Sequence, residues 1–262
     1  MEFGIKNQVI IYTGAAGLLG TEACLELAKQ GALLCLIDPA TERLNSLATE
    51  IRQKYPSARC MAVSDLDFLN PAGIDTLLDK IENELGSITC LVNSAYPRTK
   101  DWHLRFEKIP MSSWQTNVDD HLNGYFLFSQ RVALRMMKSR KGNIINFGSI
   151  YGLVGPDFSV YEGLGEMTMP AAYAAIKGGV VNLTRYLAAY LGPYGIRVNA
   201  ICPGGVKDQQ APSFVQAYES KVPLKRMATT ADITGPLLFL ISDLSSYING
   251  VALPVDGGWT AI

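Results

Sequence analysis

Seven short apolar runs, separated by stretches of helical periodicity, constrain the fold more than any other feature of the chain. QVIIYT (8–13), ALLCLID (32–38), ARCMAVS (58–64), ITCLVN (88–93), NIINFG (143–148), IRVNAI (196–201) and VALPVD (251–256) are rich in Val and Ile and bounded by Gly, Pro, Asp or Asn. Their near-continuous apolarity predicts strands covered on both faces, as in a parallel sheet. Between them, Leu25 and Ala28 follow Thr21 at spacings of four and seven, and Leu44, Leu47 and Ile51 repeat at three and four. Strands alternating with helices predict an α/β, doubly wound fold with right-handed crossovers. No repeat, low-complexity tract or linker divides the 262 residues, so residues 1–262 are expected to form a single domain.

Composition excludes several functions. With 48% hydrophobic and 18% charged residues, the chain is too apolar for disorder. Its 23 Lys+Arg balance 24 Asp+Glu, so no basic excess draws it to nucleic acid or a membrane surface. ALLCLI is far shorter than the roughly 20 apolar residues of a membrane-spanning helix. The first residues carry no secretory pattern, and the expected location is cytoplasmic. Cys24, Cys35, Cys60, Cys90 and Cys202 are odd in number and form no CxxC pair, which argues against a disulfide framework or a metal site.

Residues 94–110, 150–170 and 203–230 resist assignment to helix or strand, and each follows a predicted strand. Ligands of open parallel sheets bind where such loops gather, although loops of this kind also pack on neighbouring subunits. The first strand runs into TGAAGLLG (13–20) and then a helical pattern. Glycines there let a pyrophosphate approach peptide N–H groups, and the helix N-terminus adds partial positive charge. The second strand ends in Asp38, 18 residues after Gly20, where an acid can accept hydrogen bonds from ribose hydroxyls. A carboxylate repels a 2′-phosphate, and the next Arg is Arg43, so Asp38 favours NAD over NADP. The other reading of Asp38 is a cap for the helix beginning near Pro39.

Tyr173 and Lys177 stand four residues apart in YAAIK, at the start of a helical run to about Leu191, and so share a helix face. A nearby ammonium lowers a phenol's pKa, and a Tyr so tuned exchanges a proton with an alcohol or carbonyl oxygen. Ser149, just after the fifth strand, can donate to the same oxygen. A lone YxxxK occurs by chance on many exposed helix faces.

Together, TGAAGLLG, Asp38, Asp65 after the third strand, NSA (93–95), GNIINFGS (142–149), YAAIK, RVNAICPGG (197–205) and VDGG (255–258) resemble the short-chain dehydrogenase/reductase family over nearly the whole chain. The resemblance implies a Rossmann-type sheet of strand order 3-2-1-4-5-6-7. It implies Tyr173 as general acid/base, Ser149 as the hydroxyl that orients the carbonyl, and Lys177 as the cation that lowers the Tyr pKa and binds the nicotinamide ribose. Gly14, Gly17, Leu19 and Gly20 would hold the phosphates, and Asp65 and Leu66 the adenine. Asn93, Ala95, Pro203 and Val206 would complete the cofactor site, Val206 beside the nicotinamide amide. Pairing through helices near 111–138 and 171–191 would give a homodimer or homotetramer. The C-terminal VDGGWTAI is a candidate second interface, and the apolar Val180, Leu183, Leu187 and Leu191 fit either an interface or the core.

The chain departs from the family pattern at four places. Leu18 replaces the middle glycine, and Asn93-Ser94-Ala95-Tyr96 replaces NNAG, setting a phenol beside the cofactor pocket. His121 aligns with the family's catalytic Asn, and Asp208 replaces a Thr. His121 is either a proton relay or a neutral helix histidine in a structural hydrogen bond. The 24 residues from Ser149 to Tyr173 exceed the usual family spacing, and this insertion holds Tyr151, Asp157, Tyr161, Glu162 and Glu166. It must loop over the catalytic face, as a substrate lid or an oligomer contact.

Arg98, within the basic and aromatic loop 96–105, is the candidate holder of an anionic substrate, such as a sugar phosphate or nucleotide sugar, with Tyr151 a further substrate contact. NSAYPRTKDW, HLNGYFL and the long segment before YAAIK resemble a subgroup associated with flagellin modification and nonulosonic-sugar synthesis. The leading expectation is an NAD-dependent oxidoreductase of a sugar alcohol or ketone. The alternatives are an NADPH-dependent 3-oxoacyl-carrier or general carbonyl reductase, which Asp38 opposes, and a non-catalytic dinucleotide-binding regulator, which the intact Ser149, Tyr173 and Lys177 oppose.

Overall fold

The computed structural model describes residues 3–165 and 168–262, so Glu166 of the insertion lies outside the described residues. The strands are β1 (Val9–Thr13), β2 (Leu33–Ile37), β3 (Cys60–Val63), β4 (Ile88–Asn93), β5 (Gly142–Phe147), β6 (Ile196–Pro203) and β7 (Ala252–Val255). They form one sheet in the order β3-β2-β1-β4-β5-β6-β7, parallel throughout. Each lies on one of the seven apolar runs. β1 shows why the runs are continuous: Ile10 and Tyr12 pack into one layer while Val9 and Ile11 pack into the other. A strand buried on both faces cannot alternate apolar with polar residues.

One layer holds α1 (Leu18–Lys29), α2 (Thr41–Lys54) and α8 (Thr230–Ile241). The other holds α3 (Pro71–Glu84), α5 (Gly124–Ser139) and α6 (Ala171–Leu191). Val180, Leu187 and Leu191 are buried and Leu183 is partly buried, so this apolar run of α6 is intrachain core. Trp259 of the C-terminal segment is likewise packed inside the chain, stacked on Tyr218 at 4.5 Å. No described helix is long and apolar enough to cross a membrane, and the five cysteines are free thiols.

Two expectations need correction. The stretch 203–230 contains a helix, α7 (Pro212–Lys221). The helical run near 111–138 is broken into α4 (Met111–Asn117), a π-helical segment (Val118–Asn123) and α5. The wider π turn shifts which residues face inward, and His121 sits in it. Among the described residues of segments 94–110 and 150–170, the helical pieces are short 3₁₀ turns, at Phe106–Lys108, Ile150–Gly152 and Phe158–Tyr161. The register pairs Thr13 with Asn93 and Asn93 with Asn146, so the carboxyl ends of β1, β4 and β5 stand side by side. The three long loops all start from that edge.

Candidate active site

Thr13 ends β1 and ties it to the segment after β4. Its Oγ1 accepts the N–H groups of Ser94 (3.0 Å) and Ala95 (3.1 Å). Gly14 follows with φ +74°, and a Cβ there would lie 2.9 Å from the Ala95 Cα. A Cβ at Gly20 would lie 2.1 Å from the Gly14 carbonyl oxygen, so α1 packs on the loop only with glycine there. Gly17 caps α1 with no side-chain bond, which leaves the first helix amides to another partner. Leu18 is largely exposed, so the missing middle glycine leaves the loop intact.

Asp38 is buried beside this loop. Ala16 N–H donates to its Oδ2 (3.1 Å) and Ala40 N–H to its Oδ1 (2.9 Å). It does not cap α2, whose N-cap is Ala40. A carboxylate offers about four acceptor positions, so two remain for ribose hydroxyls. The glycine cradle, the open amides of α1 and the buried acid therefore fit a dinucleotide. Asp65 is exposed just past β3, and Leu66 is half-buried against the α3 layer. Asn93 ends β4. Its Nδ2 donates to Ser129 Oγ and Asn146 Oδ1, both at 2.9 Å, and Asn146 Nδ2 donates onward to Thr184 Oγ1 (2.9 Å). The Asn93 amide thus pins β4 to β5 and α5. Ala95 offers its carbonyl to the Tyr125 hydroxyl (3.0 Å).

Tyr173 and Lys177 stand one turn apart near the start of α6, with Nζ 5.6 Å from the Tyr173 ring centroid. Lys177 is buried, and Nζ donates to the Phe147 carbonyl (2.6 Å) at the end of β5. Nζ also lies 3.3 Å from His121 Nε2 and over the faces of Tyr125 (5.6 Å) and Tyr96 (5.9 Å). Burial lowers the Lys177 pKa to about 7. Burial, helped by the Lys177 charge, holds His121 well below the usual histidine value. Burial thus favours the neutral imidazole of His121, whose Nε2 faces the Lys177 Nζ.

Burial raises the Tyr173 phenol, and a hydrogen bond with Ser149 pulls it back. Ser149 is buried at the end of β5, where its Oγ also accepts the Tyr151 N–H (3.2 Å).

Ser149, Tyr173 and Lys177 open on one cavity of about 330 Å³. Leu19, Pro203 and Val206 line it from the cofactor side, Tyr96 and Trp102 from the first loop, and Tyr151, Tyr161 and Met169 from the insertion. Sequence reasoning missed Tyr218, another wall, whose hydroxyl accepts the Gly205 N–H (2.5 Å). Arg98 is exposed and is not among the wall residues. Its guanidinium lies over the rings of Tyr96 (5.3 Å) and Trp102 (5.4 Å). Asp208 is also exposed and outside the cavity wall. A wider groove of about 800 Å³ between residues 105–107 and 156–174 shares Tyr161 and Met169 with the cavity but none of the reactive side chains.

Residues 14–260 match the family model described as Enoyl-(Acyl carrier protein) reductase. The chain is 32% identical over 256 residues to post-translational flagellin modification protein A of Campylobacter coli, covering 97% of this chain and 99% of that protein. A short-chain dehydrogenase structure from Leptospira borgpetersenii with bound NAD+ superposes with a TM-score of 0.85 at 33% identity, covering 97% of this chain and 93% of that one. A gluconate 5-dehydrogenase from Burkholderia cenocepacia in complex with NADP and tartrate gives a TM-score of 0.86 at 26% identity, covering 100% and 98%.

Proposed function

This chain belongs to the short-chain dehydrogenase/reductase family, and on that premise we propose that it is an NAD-linked oxidoreductase of a sugar, acting in bacterial surface-glycan synthesis. Enzymes of this family act on the CH–OH group of alcohols or its ketone. The observation that carries the reading is the convergence of Ser149, Tyr173 and Lys177 on one cavity beside the glycine cradle and Asp38. When bound, the nicotinamide supplies or takes up the hydride. Tyr173 exchanges the proton of the substrate oxygen, and Ser149 holds that oxygen by a hydrogen bond. Lys177, in its protonated form, places positive charge beside the phenol and offers a donor to the nicotinamide ribose, with His121 Nε2 3.3 Å from its Nζ. Gly14, Gly17, Leu19 and Gly20 take the phosphates, Asp65 and Leu66 the adenine, and Ala95, Pro203 and Val206 the nicotinamide half.

Related structures hold either NAD+ or NADP, so the choice of NAD rests on Asp38. Its buried carboxylate would meet the ribose hydroxyls and oppose a 2′-phosphate, which also counts against an NADPH-dependent acyl-carrier reductase. The sugar reading rests on the likeness to flagellin modification protein A and on a cavity walled by aromatic rings with polar tips. Arg98, stacked on two of those rings, suits a phosphate or carboxylate on the substrate. We read residues 1–262 as one cytoplasmic domain that assembles as a homodimer or homotetramer.

The test is nicotinamide absorbance at a panel of sugar phosphates, nucleotide sugars and neutral polyols, with NAD and NADP side by side. The expected result is NAD-linked turnover on a phosphorylated sugar, with the preference for NAD lost in Asp38→Ala and KM raised in Arg98→Ala. NADP preference in the unaltered enzyme would overturn the role of Asp38. Turnover on neutral substrates alone would remove Arg98 from the site.

A further inference from the structure

The loop Pro203-Gly204-Gly205-Val206, which walls the cavity on the nicotinamide side, is held from three directions. Gly204 N–H donates to the Val255 carbonyl (3.0 Å) at the end of β7. The Gly205 carbonyl accepts the Ala228 N–H (2.9 Å), beside a parallel bridge between Val206 and Ala228. The third tie is a side chain: Gly205 N–H donates to the hydroxyl of Tyr218 on α7 (2.5 Å). A Cβ on Gly205 would lie 2.7 Å from the Tyr218 Cζ. One on Gly204 would lie 3.1 Å from the Tyr218 hydroxyl oxygen and 2.9 Å from the Asp256 Cα. The loop backbone therefore rests directly on the phenol, an approach that only glycine permits.

Tyr218 is itself clamped. Its ring stacks on Trp259 (4.5 Å) and meets Phe214 (5.8 Å), which meets Tyr161 of the insertion (5.4 Å). It shares a buried cluster with Ile150, Tyr151, Val160, Val222 and Met227. One buried side chain thus joins the loop on the cofactor side to the insertion that walls the substrate side. We propose that Tyr218 is a positioning residue for hydride transfer. Through its bond to Gly205 it sets where the 203–206 loop stands relative to Ser149 and Tyr173, and so how close the nicotinamide comes to the reacting carbon. This rests on the oxidoreductase reading and deepens it. Tyr218 moves neither hydride nor proton; its contribution is geometry, and a misplacement of about 1 Å costs on the order of a hundredfold in rate.

The test is Tyr218→Phe, which keeps the ring stack on Trp259 and removes the acceptor of the Gly205 N–H. The readout is single-turnover nicotinamide absorbance at saturating NAD and saturating substrate, the substrate being the best alcohol of the panel above. Steady-state KM and urea unfolding are measured alongside. Val222→Ala, in the same apolar cluster but outside the cavity wall, is the structural control. Tyr218→Phe is expected to slow single turnover roughly tenfold to a hundredfold while the substrate KM stays within about threefold. Deuterium at the reacting carbon is expected to slow the variant further, since hydride transfer then limits the rate. Val222→Ala is expected to lower the urea midpoint and to keep single turnover within about twofold. An unchanged single-turnover rate in Tyr218→Phe would overturn the proposal and leave the oxidoreductase reading intact. A raised substrate KM at an unchanged rate would make Tyr218 a substrate contact and overturn it too. An equal rate loss in Val222→Ala would reduce Tyr218 to a packing residue. NAD binding without turnover of any alcohol or ketone by the unaltered enzyme would remove the oxidoreductase reading, and this one with it.

Discussion

Lys177 shows how a single side chain sets the electrostatics of the site. Its ammonium is buried among Tyr96, Tyr125 and Tyr173, and burial brings its pKa down from 10.5 to about 7. The free lysine holds its proton to higher pH than the folded one. Between about pH 7 and 10.5 the unfolded chain therefore binds more protons, and the contribution of Lys177 to stability rises with pH. That contribution is fully lost once pH falls below about 7. Lys177→Met removes the titration. Between pH 7 and 9 the unaltered protein is expected to gain on Lys177→Met by on the order of 1 kcal/mol per pH unit in urea unfolding. A difference that stays flat over that range would contradict the buried, weakly charged amine. At this scale the sequence was informative for Ser149, Tyr173, Lys177, Asp38 and the glycines, because their spacing along the chain encodes the motif. It was silent on Tyr218 and on the Asn93–Asn146–Thr184 chain of bonds, which are assembled from residues far apart in sequence.

At the scale of elements, the insertion between Ser149 and α6 is a built wall of the cavity. Val160, buried in its 3₁₀ turn, packs with Ile150, Tyr151, Tyr218, Val222, Met227 and Trp259. Lys221 of α7 pairs with Asp157 of the insertion, but both side chains are 37–41% exposed. Exposed pairs contribute little, so the apolar cluster holds the wall. Lys221→Met is expected to change stability by less than about 1 kcal/mol. Val160→Ala is expected to cost about 1–3 kcal/mol and to raise KM, because Tyr151 and Tyr161 ride on the same segment. Urea unfolding and steady-state kinetics read both variants, and a larger loss in Lys221→Met would show that the ion pair holds the segment. The strands were legible because burial on both faces leaves an unmistakable apolar run. The break in the helical run near His121 was not, since a π turn is imposed by what packs on it. Pro212 and Lys221, at the ends of α7, were start and stop signals open to reading.

At the scale of the whole molecule, the strand order came from the family resemblance, because periodicity alone does not say which strands are neighbours. The proposed assembly would cover what the layers leave exposed. Tyr186 and Tyr190 of α6 stack at 6.0 Å and are 60% and 57% exposed, and Phe126 and Leu134 of α5 are also exposed. A paired helix face would cover them. If the proposed dimer or tetramer pairs through this face, Tyr186→Glu with Tyr190→Glu is expected to convert it to smaller species in sedimentation velocity, and an unchanged mass would contradict that pairing.

The central claim is that Tyr173 exchanges a proton with a substrate oxygen beside a bound NAD. Tyr173→Phe removes that one hydroxyl from a ring that stays packed on Tyr96 and Trp102. Single-turnover absorbance of the reduced nicotinamide, run beside an NAD-binding titration, tests the claim most directly. The expected result is unchanged NAD affinity with turnover reduced by roughly a hundredfold or more. Unaltered turnover in Tyr173→Phe would contradict it.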